Sequence, residues 1–300
     1  MTTAAQAQRA SVATVGTFDG VHRGHVFALR EFASMARSRG LRALVLTFGA
    51  HPMDVVAPGR APKSLITVQE KLRLIEAVDP SLSVELLRFD ADTARMTAAE
   101  FLGDIGRRYG VAEFVMGYNN HIGSDRAVAS ALAAAGLPVR ELPQAPHISV
   151  SSSMIRAAVA CGDVAEASRM FGRLHTVCGT VCHGRQLGRT IGFPTANVEP
   201  CDRACLLPAR GVYAVEVVLE DGTVHRGMAN IGHRPTVDVE GAPLSVEVNI
   251  FGLDRDLYGS AIRVGFIDRL RDERPFASVD DLRSQLEADR EEALTKKIVL

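Results

Sequence analysis

The chain has no tryptophan, and only 5% of its 300 residues are aromatic. Its 34 basic residues are matched by 35 acidic ones, for a net charge of −1. Nucleic-acid binding draws on a basic footprint and on aromatic platforms that stack bases, and the composition supplies neither. The same balance gives no electrostatic hold on an anionic membrane. No apolar run approaches the roughly 18 residues of a membrane-spanning helix. Cysteine is sparse and odd in number, at five, with no Cys-x-x-Cys pair. No His/Cys set has the spacing of a zinc site, so buried or semi-buried free thiols in a reducing compartment are expected. The first eleven residues are polar and alanine-rich, without the apolar centre of a secretion signal. These absences lead to the expectation of a cytoplasmic protein, a monomer or weak homo-oligomer, with neither nucleic acid nor membrane among its partners.

What is present divides in two. A length of 300 residues and an apolar fraction of 47% suit about two globular domains with full cores. The first half alternates short β-branched runs with helical patterns. Strands are expected near residues 12–17, 41–48, 84–89, 112–117 and 137–142. Helices are expected from the turn at 16–25 to about residue 39, at 68–78, from Thr97 to Gly110, and at 125–135. Thr67-x-x-Glu70 and Thr97-x-x-Glu100 are capping boxes. The alternation argues a Rossmann-like, doubly wound parallel sheet, whose ligands bind beyond the carboxyl ends of the strands. Two alanine-rich helical pieces follow, split by Cys161-Gly-Asp163, and a boundary falls at 172/173. Beyond it, β-branched runs at 177–181, 212–219, 224–231, 244–251 and 262–267 lack helices between them, as in a small antiparallel barrel. Ser278 starts a closing helix with Val279, Leu282 and Leu286 on one side.

Three stretches carry chemistry. Gly16-Thr-Phe18-Asp19-Gly-Val-His22-Arg-Gly24-His25 turns from the first strand into a helix. A helix N-terminus favours anions, and two imidazoles beside it can donate to phosphate oxygens. Ser151-Ser152-Ser153-Met-Ile-Arg156 can cap a helix and offer a fork-shaped cation to phosphate. The third stretch holds glycines four residues apart, Gly184, Gly188 and Gly192, with Arg185 and Arg189 between them. It closes on Phe193-Pro194-Thr195-Ala-Asn197. Glycines let a backbone approach a ligand, and Thr and Asn oxygens suit Mg²⁺, which keeps few protein ligands. Two readings of this third stretch stand level on spacing alone. One is a phosphate loop with a metal–nucleotide corner, the other a glycine-rich hairpin.

The third stretch resembles the ATP and Mg²⁺ loop of riboflavin kinases, whose signature is Gly-Phe-Pro-Thr-Ala-Asn. Further blocks are similar to that family: Gly211-Val-Tyr213-Ala, Ala229-Asn230-Ile-Gly232-x-Arg234-Pro235-Thr236 and Asp256-Leu-Tyr258-Gly. The first two stretches resemble the paired motifs of His-x-Gly-His nucleotidyltransferases. In this order the halves look like the prokaryotic bifunctional riboflavin kinases/FAD synthetases. The resemblance implies an FMN adenylyltransferase domain at 1–172 and a riboflavin kinase domain at 173–300. Riboflavin would be phosphorylated to FMN, and FMN adenylylated to FAD and pyrophosphate, each from ATP with Mg²⁺. Glu247 would be the kinase base, and Thr195 and Asn197 the metal ligands. Gly184, Arg185, Gly188, Arg189, Gly192 and Pro194 would line the ATP loop.

In the first half, the resemblance makes His22, His25 and Arg156 catalytic, with Gly16, Phe18, Asp19, Gly24 and the three serines on phosphate. It places flavin contacts at Asn120, Arg271, Glu273 and Phe276. Two stretches depart from the family. Thr47-Phe-Gly-Ala-His-Pro52 stands where Thr-Phe-Asp-Pro-His-Pro is usual. Gly117-Tyr-Asn-Asn120-His-Ile-Gly-Ser-Asp-Arg126 replaces the aromatic residues and carboxylate of another loop. Two other readings therefore stand beside the bifunctional one: a riboflavin kinase with a weakened or altered adenylyltransferase half, and a non-catalytic flavin-binding protein.

Overall fold

The computed structural model describes residues 10–184, 187–233 and 244–300, the side chains of Leu187, Arg189 and His233 apart. The chain forms two compact units, Met1–Ser64 with Val68–Val150, and Leu65–Thr67 with Ser151–Leu300.

The first unit is a five-stranded parallel sheet. Its elements run β1 (Ser11–Val15), α1 (Arg23–Ser38), β2 (Arg42–Phe48), α2 (Met53–Val56), α3 (Val68–Val78), β3 (Leu82–Leu87), α4 (Ala91–Arg95), α5 (Ala98–Tyr109), β4 (Val111–Gly117), α6 (Ala129–Ala134) and β5 (Val139–Leu142). The strand order is β3-β2-β1-β4-β5, with every pair parallel. The chain winds one way from β1 to β3 and the other way through β4 and β5. The order therefore reverses at β1, and sheets of this kind bind ligands in the crevice beyond the strands' carboxyl ends at such a point. All five residues of β1 are buried, as a strand covered on both faces requires. The Thr97–Glu100 capping box is formed, and Gly110 closes α5 in the left-handed conformation. The helix expected over 125–135 is shorter. Residues up to Val128 instead form a turn, pinned by an Ile122–Ala127 bridge, with Arg126 at φ 53°.

The second unit opens with α7 (Ser152–Cys161) and α8 (Val164–Phe171), followed by β6 (His175–Cys182), α9 (Leu187–Thr190), β7 (Ala196–Pro200), β8 (Gly211–Leu219), β9 (Val224–His233), β10 (Leu244–Ile250), β11 (Ala261–Arg271) and α10 (Val279–Thr295). Six strands close an antiparallel barrel in the order β10-β7-β6-β11-β8-β9. Inward residues alternate along each strand, as in Val246 and Val248, or Val215 and Val217. Val164 of α8 belongs to the same buried cluster. The backbone N–H of Ala209 donates to Val159 O at 3.2 Å, tying α7 to the approach to β8. Both helices thus pack with the barrel, although the motif-based boundary lies after them. Ser278 caps α10, its Oγ accepting from Asp281 N at 3.1 Å. Val279 is 58% exposed, so the inner face of that helix runs through Leu282 and Leu286 to Asp289 and Ala293. No disulfide forms among the described residues, and Cys161 and Cys201 are exposed rather than buried.

Candidate active sites

In the parallel-sheet unit, β1 delivers the chain into a turn held in unusual backbone geometry. Phe18 and Val21 have φ of 46° and 39°, a region that L side chains seldom adopt. Such strain persists where the surroundings over-determine it, commonly at functional sites. His22 is the N-cap of α1, its Nδ1 accepting from the His25 N–H at 3.3 Å. The Nε2 of a neutral His22 then carries the proton and is a donor. The two imidazoles stack at 3.6 Å between centroids, and Phe18 meets His25 edge-on at 5.4 Å. Gly24 lies against His22, where a Cβ would stand 3.2 Å from the ring. A Cβ on Gly16 would stand 3.0 Å from the Phe18 ring. Asp19 and His22 are buried.

The two unusual stretches are built into this same region. Asn120 Nδ2 donates to Val15 O at 2.9 Å, joining the end of β4 to the end of β1. Asp125 accepts from Ala98 N at 2.9 Å, at the head of α5. Tyr118 is exposed. His51 Nδ1 accepts from Met53 N at 3.1 Å at the start of α2. Lys71 of α3 is only 8% exposed. Its ammonium donates to Phe48 O at 2.6 Å and to Thr17 O at 3.3 Å. Burial pushes its pKa below the ordinary lysine value, against the nearby charge of Asp19.

In the barrel unit, the register of three strands assembles the second site. Glu247 on β10 is the cross-strand partner of Asn197 on β7 and of Asn230 on β9. Paired residues share a face, so these three polar side chains form a row outside the barrel while Val246 and Val248 fill its core. Asn197 also pairs with Cys182 on β6, which brings the row to the start of the glycine loop. A Cβ on Gly184 would fall on the Asn197 side chain, so only glycine leaves that side chain room. Phe193 N donates to Gly188 O at 2.8 Å, closing the loop. Gly192, inside that loop, has φ 86°. Asn249, two residues beyond Glu247, donates to Pro194 O at 2.6 Å and anchors the segment that carries Thr195. Thr195 lines a cavity of about 490 Å³ with Pro194, Leu253, Asp256, Leu257 and Tyr258. His183 stacks on Tyr258 at 3.8 Å. Arg185 and the side chain of Arg189 lie outside the described residues, as do Arg234, Pro235 and Thr236.

The segment after β11 reaches this row. Glu273 accepts from Asn230 Nδ2 at 2.8 Å and from Arg210 Nε at 3.0 Å. Arg271 points elsewhere, as a fork on Asp289 of α10, with Nη2–Oδ2 at 2.6 Å and Nε–Oδ1 at 2.9 Å. Phe276 lies under the guanidinium groups of Arg271 and Arg274, at 5.7 and 5.2 Å.

A family model described as riboflavin kinase matches residues 171–297, and one described as FAD synthetase matches residues 4–148. The bifunctional riboflavin kinase/FMN adenylyltransferase of Bacillus subtilis (strain 168) is 34% identical over 295 residues, covering 96% of this chain and 92% of its own. That of Escherichia coli (strain K12) is 36% identical over 292 residues, covering 94% and 91%. The chain belongs to the bifunctional riboflavin kinase/FMN adenylyltransferase family. A crystal structure of a protein described as a macrolide-efflux protein from Streptococcus pneumoniae is also similar, with a TM-score of 0.87 and 33% identity. It covers 97% of this chain and 95% of that one. No helix among the described residues here is long and apolar enough to cross a membrane.

Within this riboflavin kinase/FMN adenylyltransferase chain, the structure brings together several residues that its motifs single out. His22, His25, Phe18 and Gly24 meet in one turn. Ser151 caps α7, its Oγ accepting from Met154 N at 3.3 Å, with Ser152 and Ser153 on the first turn and Arg156 at the start of the second. Thr195, Asn197 and Glu247 gather around the barrel's glycine loop. Lys71, Asn230, Asn249 and Asp289 drew no role from the sequence. Lys71 reads as one more charge on an amphipathic helix. The other three depend on strand register and helix docking, which local spacing does not reveal.

Proposed function

We propose the following division of labour for the two reactions of this family. The chain is a riboflavin kinase and FMN adenylyltransferase. Residues 173–300 carry the phosphoryl transfer, and residues 1–172 the adenylyl transfer. One observation carries the kinase assignment: Glu247 stands between Asn197 and Asn230 on adjacent strands, beside the glycine loop. Glu247 accepts the proton of the riboflavin 5′-hydroxyl as that oxygen attacks the γ-phosphorus of ATP, giving FMN and ADP. Thr195 and Asn197 offer neutral hard oxygens of the kind a small cation takes, and the absence of a side chain at Gly184 leaves Asn197 the room it fills. Mg²⁺ held there would supply positive charge against the negative charge that develops on the phosphates. The cavity beside Thr195 receives the nucleotide, with Tyr258 offering an aromatic face. Glu273, which accepts from Asn230 in the row, and Phe276, three residues further on, contact the flavin.

In adenylyl transfer the FMN phosphate attacks the α-phosphorus of a second ATP, and pyrophosphate leaves. His22 and His25 donate to phosphate oxygens at the head of α1, with Gly24 keeping the approach open. The family resemblance also assigns Ser151, Ser152, Ser153 and Arg156 to phosphate, a role that suits their hydroxyls and fork-shaped cation. Asn120 orders the crevice through Val15 O. Matches to both family models disfavour the kinase-only and non-catalytic readings.

The test is incubation of the purified chain with riboflavin, ATP and Mg²⁺, with chromatographic separation of the flavins. FMN and then FAD are expected. Glu247→Gln should lower FMN formation by about 10²–10⁴-fold and leave the conversion of supplied FMN to FAD intact. Undiminished riboflavin phosphorylation by that variant would overturn the assignment.

A further inference from the structure

We propose that Lys71 is a positioning residue for adenylyl transfer, acting through the turn that presents His22 and His25. Lysine is almost never buried unless its ammonium is matched. A lysine on a helix surface ordinarily lays its stem along the protein and keeps its charge in water. Lys71 does the reverse. It projects inward from α3 on the same side as the buried Ile75, one helical turn on, while its neighbours Glu70 and Arg73 pair with each other on the exposed side. Its ammonium spans the ends of two adjacent strands, donating at 2.6 Å to the O of Phe48, the last residue of β2, and at 3.3 Å to Thr17 O beyond β1. Thr47 Oγ1 donates to the same Thr17 carbonyl at 3.2 Å.

Thr17 immediately precedes Phe18, where the backbone enters its positive-φ conformation. Fixing the Thr17 carbonyl fixes the peptide plane that leads into this strained turn. A strained turn holds only while its surroundings dictate it. His22 and His25 lie four and seven residues further on, and Phe18 packs edge-on against His25. The buried Asp19 places its charge near the ammonium and favours the cationic form. Lys71 therefore joins the turn to the end of β2 and sets where the two imidazoles stand. It touches neither nucleotide nor flavin in this role.

The inference rests on the reading of this turn as the adenylyl-transfer site. The experiment compares Lys71→Met and Thr47→Val with the wild type as full chains, measuring kcat and KM for both reactions on the same preparations. A misplacement of about 1 Å costs on the order of 10²-fold in rate. Lys71→Met should lower the kcat of FMN adenylylation by about that factor, with KM for ATP changed by less than about threefold. Riboflavin phosphorylation should stay at the wild-type rate. Thr47→Val, which removes one donor and keeps the shape, should lower the same kcat by a smaller factor, about threefold to tenfold. Equal loss of both activities, or adenylylation that falls only in proportion to the folded fraction, would overturn the role. So would a Thr47→Val chain with wild-type adenylylation if Lys71→Met fails to fold. A wild-type chain that makes no FAD would instead overturn the reading of the turn itself.

Discussion

His175 begins β6 at 1% exposure, its ring between those of Phe171 and Phe266. One ring nitrogen, Nε2, donates to Leu206 O at 3.2 Å, and Nδ1 has no hydrogen-bond partner among the described residues. Burial pushes its pKa down to about 4, from 6.5, against the opposing pull of that hydrogen bond. The folded state thus refuses a proton that the unfolded chain accepts. Stability is fully present above pH 6.5 and is lost as the pH falls toward 4. The slope from this one group approaches about 1.4 kcal/mol per pH unit. Urea titrations between pH 4 and 7 should show it, and His175→Gln should remove that component. Gly184 makes a second prediction at this scale. A methyl group there falls on Asn197, so Gly184→Ala should lower riboflavin phosphorylation by about 10–100-fold and raise the Mg²⁺ concentration it needs. FAD formation from supplied FMN should be unaffected.

At the scale of elements, the pairing of Arg271 with Asp289 decides how α10 is held. Asp289 is 2% exposed and also accepts from Gln285 at 2.7 Å. Removing one partner of a buried ion pair leaves the other charge uncompensated, at a cost of about 3–5 kcal/mol. Asp289→Ala should show that loss in urea unfolding, and the Arg271→Met/Asp289→Leu double variant should lose less. Arg271, which the family likeness assigns to flavin, has its fork committed to the helix.

What could be read in advance at this scale followed local chemistry. The strand before His22, the Thr97 box and the Ser278 cap all lie within a few residues of their signals. So do the two motif turns. Strand β7 escaped notice because Ala196–Pro200 sits inside the glycine motif and is too short to show alternation. Asn230 beside Glu247 and Lys71 beneath Thr17 could not be read, because each depends on a partner 17 and 54 residues away. Val279 was read as part of an inner face that starts a turn later, where α10 meets the barrel.

For the whole molecule, motif and packing divide the chain at different places. The serine–arginine motif that the family likeness assigns to adenylyl transfer is carried on α7, yet α7 and α8 pack with the barrel that the riboflavin kinase model matches. A fragment 173–300 therefore lacks Val164, Met170 and Phe171, all buried. Each is worth about 1.5–3 kcal/mol of burial. A fragment 151–300 should accordingly melt higher than 173–300 in calorimetry. Equal melting temperatures would show that the barrel does not need the two helices. The row of Asn197, Glu247 and Asn230 has a consequence of another kind. A slip of β10 by a single residue would turn the carboxylate inward and a valine outward, spoiling core and chemistry together. Riboflavin phosphorylation can then serve as a head-count of correctly closed barrels, since a misassembled one contributes no signal.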